Sequence, residues 1–500
     1  MTIEVTFLVA SILLIISIIA TRASNRFGVP ALILFLAIGM LAGSEGPGGI
    51  DFADYQLAQT IGVIALIYIL FSGGLDTDWQ AIRPVLIQGA LLANVGVLLS
   101  ALIVCLFAVW VLQIGWIEAL LLGAVVSSTD AAAVFSVMRD RQVNLKHNLE
   151  PLIELESGSN DPIAVFLTLG LTGLITTPGS SLVSLVPDFV LQMVLGAGGG
   201  YLMGLLIVLA INRIRLKQEG LYVVFTLGLT LLTYAATALI GGNGFLAVYL
   251  AGIVIGNKNI VHKRSILRFH DGIAWLMQIT MFLSLGLLIF PSQLLPVAVP
   301  GLLLALLLVF VARPVSVLLS LIWFRRSWRE LAMVSWAGLR GAVPIVLATF
   351  PLLAGVPSAG LIFNVVFFIV LISVLLQGLT IAQVARWLGL SSAEQVAPSS
   401  QTFVPEVRLN SRLVEAVVPE DSALNGLALI EIGLPRGLLV VQVQRGAETI
   451  IPSGSTVILT GDHLLLLVTP DTLPVLHELR DQAGLELLTQ PMGKEAPAAA

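Results

Sequence analysis

Glu154-Leu-Glu-Ser-Gly-Ser-Asn-Asp161 places three carboxylates, two hydroxyls and one amide within eight residues. Glu154, Glu156, Ser157 and Asp161 offer oxygens fit to hold a small cation, and Asn160 adds an amide. The stretch runs directly into Pro162-Ile-Ala-Val-Phe-Leu-Thr-Leu-Gly-Leu171, an apolar run able to enter a bilayer. A carboxylate carried into a membrane by its own helix is costly, so its default reading is a functional site. The plainer alternative puts Glu154 and Glu156 in a solvated loop and leaves Asp161 to cap the next helix.

The chemistry follows from solvation. Burial disfavours the charged form of a carboxyl group. A proton or a monovalent cation can neutralise it, but not both at once. If access alternates between the two membrane faces, such a site exchanges cation for proton. Asn160, not a second acid, precedes Asp161, so one group titrates at that position. With Asp130 held ionised by local dipoles and Glu156 neutralised by Arg313, one proton swaps for one cation, electroneutrally.

Other ionisable residues also fall at membrane depth. Asp130 ends Ser127-Ser-Thr-Asp130 in the middle of an apolar run. Clustered Ser and Thr can satisfy backbone groups freed by a helix break, and the unwound carbonyls can then help coordinate a cation. The alternative there is a polar kink with Asp130 capping its second half. Arg313 lies in Val309-Phe-Val-Ala-Arg-Pro-Val315 and requires a carboxylate partner. Arg340 lies in the Gly- and Pro-interrupted run Gly338-Leu-Arg-Gly-Ala-Val-Pro344.

The elements that must position these residues are membrane helices. The chain has 500 residues, 57% hydrophobic and only 11% charged, with a mean hydropathy of +1.00. A soluble fold could not cover that apolar surface. The net charge of -5 gives no nucleic-acid footprint. The single Cys105 lies in an apolar run, which excludes a disulfide framework or cysteine metal cluster. Glu4 and the lack of a basic residue ahead of the first apolar run do not fit a cleavable signal.

About thirteen apolar segments have spanning or near-spanning length, at 4–21, 29–44, 57–73, 85–112, 115–138, 159–178, 187–212, 220–240, 243–257, 271–290, 297–323, 330–354 and 360–385. Every second loop, beginning after the first span, is basic, and together these loops hold 17 of the 25 Lys and Arg residues. The alternate loops hold none. The positive-inside rule then sets the N-terminus outside and the C-terminus in the cytoplasm. The interrupted fifth and twelfth spans lie seven apart, so spans one to six and eight to thirteen form inverted repeats joined by the seventh. Corresponding broken helices point to a transporter site at the midplane.

Near residue 391 the texture changes. Residues 391–403 read as a linker and 404–482 as a small α/β module. Its strands are expected at Leu438–Gln444, Thr456–Thr460 and His463–Val468, with a closing helix at Thr472–Asp481. Residues 483–500 read as a disordered tail. His147, His262 and His270 are placed in basic loops, where they either sense cytoplasmic pH or serve as ordinary loop residues.

These residues resemble the cation:proton antiporter-1 family, nearest to bacterial potassium/proton antiporters of the NhaP type with a C-terminal TrkA-C domain. The resemblance covers nearly the whole chain. It is carried by Ser128-Thr-Asp-Ala-Ala-Ala-Val-Phe-Ser136 and by Glu154 through Thr168, with Ala312-Arg-Pro314 and Gly338-Leu-Arg-Gly-Ala-Val343. It implies that Asp161 binds cation and proton and that Asn160 marks electroneutral exchange. It implies coordination by Thr129, Asp130 and Ser157, a structural ion pair between Glu156 and Arg313, and Arg340 at the helix crossing. The implied fold is an inverted repeat with a six-helix core domain and a dimerisation domain, moving like an elevator in a bacterial inner membrane. Some relatives carry an acid before the Gly-Gly of the third span, where this chain has Ser72.

Ser422-Ala-Leu-Asn-Gly-Leu427, Leu434 through Val441 and Ile451 through Leu464 resemble the TrkA-C domain. Such domains dimerise and regulate potassium transport, sometimes through a small ligand. No GxGxxG precedes it, so the nucleotide-binding half of a full regulatory unit is absent, and a stabilising appendage is the alternative. The expected partners are potassium or sodium, protons, a second copy and a small-molecule regulator, without cofactor or enzymatic activity. Potassium is favoured over sodium by the resemblance alone. The competing reading is a TrkA-C-regulated cation channel, which would need a carbonyl filter such as Thr-Val-Gly-Tyr-Gly, and the chain has none. A membrane-anchored sensor leaves the buried charge unexplained, and an ATP-driven pump would need a GxxxxGK[ST] motif that is missing.

Overall fold

Apolar runs punctuated by Gly, Pro and charge fold into helices along the first 390 residues of the computed structural model. The structure describes residues 2–27, 30–141, 143–177, 179, 181–392, 412–432, 434, 438–446, 448–468, 484 and 486–487. It forms two compact units, Met1–Val396 and Ala397–Ala500.

The first unit is helical. Its helices are α1 (Ile3–Phe27), α2 (Ala31–Ala42), α3 (Tyr55–Asp76), α4 (Trp79–Leu112), α5 (Trp116–Val125), α6 (Ala131–Asp140) and α7 (Leu149–Thr176). There follow α8 (Leu182–Arg213), α9 (Glu219–Leu239), α10 (Gly244–Gly256) and α11 (Lys263–Leu287). The last are α12 (Ala298–Phe324), α13 (Trp328–Trp336), α14 (Val343–Leu353) and α15 (Ala359–Trp387). Among the described residues seven helices are long and apolar enough to cross a membrane, and α2, α5, α10 and α14 are shorter apolar helices. A two-residue ladder, β1 (Asn144–Leu145) on β2 (Ser391–Ser392), ties the segment before α7 to the end of this unit.

Local sequence explains the breaks. Asp130 accepts from the Ala133 N–H at 2.9 Å and so caps α6. α13 opens with a capping box between Ser327 and Glu330. Single π-turns interrupt α4 at Leu92–Gly96, α12 at Leu308–Ala312 and α15 at Val374–Gly378. The α12 turn comes just before Pro314, whose missing N–H breaks the helical ladder there. Small residues let backbones touch: a Cβ on Gly74 of α3 would stand 2.3 Å from the Tyr249 carbonyl oxygen of α10.

Two expectations for this unit are corrected, and one alternative falls. The span expected to begin at 159 begins earlier: the whole of Glu154 to Asp161 lies inside the 28-residue α7. Asp161 therefore caps nothing, and Glu156, 1% exposed, is in no solvated loop. His270 lies within α11, fully buried against Thr226 and Phe71, and not in a loop.

Among its described residues the second unit forms a five-stranded antiparallel sheet in the order β5-β4-β6-β3-β7. The strands are β3 (Arg412–Val417), β4 (Leu438–Arg445), β5 (Glu448–Ile450), β6 (His463–Val468) and β7 (Glu486–Leu487). β4 and β6 bury Leu438, Val440, Val443, Leu464, Leu466 and Val468 in one small core, the alternation of β4 slipping by one residue at the irregularity between Val440 and Gln442. The strand expected at Thr456–Thr460 is absent: Val457 makes one isolated bridge to Ala428, and Gly454 and Gly461 turn the chain on either side. β3 was not expected from the sequence. The expected closing helix at Thr472–Asp481, most of the linker and most of the tail lie outside the described residues, but Ser391–Ser392 of the expected linker form β2 and Glu486–Leu487 of the expected disordered tail pair with β3.

Candidate ion-binding site

Two backbone interruptions meet in the core of the first unit. One runs from Val126 to Asp130 between α5 and α6, the other from Ala337 to Ala342 between α13 and α14. The Asp130 N–H donates to the Leu339 carbonyl at 2.8 Å, which joins the two. Gly341 lets them approach: a Cβ there would stand 1.9 Å from Asp130 Oδ2.

The charges at the crossing match the helix ends. Arg340, 1% exposed, donates from Nη1 to the carbonyls of Ser127 at 2.8 Å and Ser128 at 2.9 Å. A cation thus meets the carbonyl end of α5. Asp130 sits at the N-terminal end of α6 and beside Gly341 just before α14, so an anion meets two amide ends. Ser373 on α15 accepts from the Arg340 N–H at 2.9 Å and fixes the second break from behind.

α7 lays its polar face against the first break. The Asn160 amide donates to Thr129 Oγ1 at 2.6 Å, and its oxygen accepts from the Thr129 N–H at 3.3 Å. The Ser157 hydroxyl donates to the Thr129 carbonyl at 2.9 Å and accepts from the Ala131 N–H at 3.0 Å. The Ser128 hydroxyl donates to the Asp161 carboxylate. Asp161, Asn160, Ser157, Thr129 and Asp130 are thereby gathered around one unwound segment, where carboxylate, hydroxyl, amide and carbonyl oxygens converge. That donor set can replace the water around a small monovalent cation or take up a proton.

Glu156 is five residues from Asp161, so it points about 140° away around α7. There its carboxylate receives both terminal nitrogens of Arg313, Nη2 reaching Oε2 at 2.8 Å, and Nη2 also donates to the Val334 carbonyl at 3.2 Å. Both side chains are buried, and the bidentate geometry is the strong form of the pair. Arg313 needs space beside Gly338, where a Cβ would stand 2.4 Å from its Nε.

Ser128, Ser373 and Gly341 were missed as site residues by sequence reading. Ser373 had a signal: Ser373 and Gln377, one helical turn apart in an otherwise apolar run, hydrogen-bond to each other at 2.5 Å, and Gln377 donates to the Trp336 carbonyl. His147 and His262 lie outside the helices, near Glu330 and Glu219.

The family described as "Sodium/hydrogen exchanger, transmembrane" matches residues 11–387, and the TrkA-C domain matches residues 413–480. The chain is 42% identical over 468 residues to a K(+)/H(+) antiporter NhaP of Alkalimonas amylolytica, covering 93% of this chain and 81% of that one. It is 40% identical to a K(+)/H(+) antiporter NhaP2 of Shewanella sp. (strain ANA-3), covering 98% and 84%. The solved structure of the sodium proton antiporter MjNhaP1 from Methanocaldococcus jannaschii superposes with a TM-score of 0.65 at 25% identity, covering 76% of this chain and all of that one.

Proposed function

We propose that this chain, which belongs to the sodium/hydrogen exchanger family, exchanges potassium for protons at Asp161. It is a multi-pass membrane protein and a cation:proton antiporter. The observation that carries the site is the convergence of Asp161, Asn160, Ser157, Thr129 and Asp130 on one unwound segment between α5 and α6.

In this reading Asp161 alternates between a proton and a dehydrated cation. Thr129, Ser157, Asn160 and Asp130 complete the oxygen shell. Arg340 and Asp130 neutralise the broken helix ends, and Glu156 with Arg313 holds α7 against α12. Because Asn160 is neutral, one proton leaves for each cation bound, and the exchange carries no net charge. Potassium is favoured over sodium because the relatives at 40–42% identity are named K(+)/H(+) antiporters.

The finer architecture belongs to the same proposal. Thirteen spans arise if α5 with α6, and α13 with α14, each count as one broken span, which matches the thirteen apolar segments. The inverted repeat is supported by the π-turns of α4 and α12, which occupy corresponding spans, and by the paired breaks. The N-terminus faces outward and the C-terminus lies in the cytoplasm, by the basic loops. The first unit is the exchanger and the second a cytoplasmic regulatory domain that responds to a small molecule. The linker follows β2, and the regulatory domain extends through β7 at Glu486–Leu487. The protein works as a homodimer in a bacterial inner membrane, its core moving like an elevator.

Proteoliposomes with an imposed pH gradient and a clamped potential test this. Potassium added to the vesicles dissipates the gradient, sodium does so less effectively, and changing the potential under saturating ions leaves the rate unchanged. A potential-dependent rate would overturn electroneutrality, and cation flux without counter-moving protons would overturn the exchange.

A further inference from the structure

One polar face of α7 continues past the site toward the cytoplasmic end assigned above. Glu154 lies seven residues before Asp161, on the same face and about 10 Å along the axis. Between them, Gly158 leaves a notch in the helix surface. Tyr249 of α10 fills it: a Cβ on Gly158 would stand 2.3 Å from the ring and 2.6 Å from the hydroxyl.

Tyr249 is 2% exposed, yet among the described residues its hydroxyl has no partner at full hydrogen-bond geometry. The Thr77 hydroxyl is near enough to make a weak hydrogen bond to it, and Glu154 and Asp161 lie within electrostatic reach. A buried hydroxyl short of a strong partner is poorly solvated, and a dehydrated cation beside it would supply one. Glu154 is half-buried and accepts from Thr77 Oγ1 at 2.5 Å. Asp76, Glu150 and Arg139 interact with Glu154, and Asp271 with Asp76. Asp76 is exposed at the last residue of α3. Oxygen donors therefore descend stepwise from surface to site, as Asp76, Glu154 with Thr77, Tyr249 and Asp161.

We propose that Glu154, Thr77 and Tyr249 form a second, staging site for the monovalent cation, occupied between the cytoplasmic surface and Asp161. The Glu154 carboxylate supplies the charge. The Thr77 and Tyr249 hydroxyls replace water around the ion, and the hydroxyl of Tyr249 gains a strong partner when the ion is present. Tyr249, seated in the notch at Gly158, stands between Glu154 and Asp161 along α7. This site rests on the reading of Asp161 as the exchange site.

The test uses everted vesicles carrying the full chain, with potassium titrated at the cytoplasmic face and proton flux as readout. Glu154→Gln raises the half-saturating potassium concentration about tenfold, and Tyr249→Phe about threefold, each with a maximal rate near wild type. Glu154→Asp, which keeps the charge, restores most of the apparent affinity. A merely structural role would lower the maximal rate and leave half-saturation unmoved, and that result overturns the staging site, as does wild-type behaviour of both variants. Asp161→Asn in the same vesicles separates the two claims. If it stays active, the exchange site itself is wrong; if it is dead while Glu154→Gln and Tyr249→Phe match wild type, only the staging site is.

Discussion

Arg340 reaches from the break between α13 and α14 to the Ser128 carbonyl in the break between α5 and α6, at 2.9 Å. The same nitrogen holds the Ser127 carbonyl at 2.8 Å. One buried guanidinium thus satisfies two carbonyls at the end of α5 that no intrahelical N–H reaches. The first break keeps its unwound form because the second supplies its donor.

Arg340→Ala leaves both carbonyls unpaired in an apolar setting. The expected cost is about 1–3 kcal/mol for each. Arg340→Lys keeps the charge but loses the planar fork, so it recovers only part of that. Thermal melting in detergent should order the three proteins as wild type, Lys, Ala, with exchange rates in the same order.

Glu156 and Arg313 act as a pair. Removing either partner alone strands a buried charge, with an expected loss of about 3–5 kcal/mol. Replacing both, as in Glu156→Leu with Arg313→Met, should lose much less. A double-mutant cycle on melting measures the coupling, and a double variant that still exchanges potassium for protons would assign the pair to structure.

Gly341→Ala puts a methyl 1.9 Å from Asp130 Oδ2, inside any permissible contact. The two breaks must then separate or Asp130 must release its cap on α6. Exchange should fall sharply while α-helical content by circular dichroism stays near wild type.

In the second unit, Asp462 is fully buried and receives Arg445 Nε and Nη2, each at 2.8 Å, and the Leu459 N–H at 2.8 Å. Burial alone would raise its carboxyl, but these hydrogen bonds outweigh it and hold it below the usual carboxylate range. A depressed folded-state value stabilises above the unfolded pKa, near 3.9 for Asp, and that contribution disappears as pH falls through the folded value. Asp462→Asn should therefore speed hydrogen exchange of β4 and β6 amides at pH 7, and its difference from wild type should close in acid.

Much of this was legible in the sequence, and the reasons are local. Membrane helices declare themselves by apolar length, and buried charges such as Asp130, Asp161, Arg313 and Arg340 stand out against that background. What sequence reading lost depends on register and on backbone approach. Glu154 to Asp161 looked like a flank because charge usually marks a span's end, whereas packing against α5, α10 and α14 carries α7 through it. His270 sat near loop arginines in the sequence, but the 3.6-residue repeat turns it inward onto Thr226. Gly341 and Gly158 matter through what a Cβ would strike, which no single sequence reveals. In the second unit, Thr456–Thr460 has strand-like residues, but its flanking glycines and the bridge to Ala428 spend its backbone elsewhere.

The central claim is that Asp161 is the group on which proton and cation compete. The direct measurement is potassium-driven proton flux in proteoliposomes carrying wild type or Asp161→Asn at equal folded protein. The account predicts flux in wild type and none in the variant, whose amide can hold neither an exchangeable proton nor the charge that binds the cation. A variant that exchanges at the wild-type rate would contradict it and place the exchange site elsewhere in the chain.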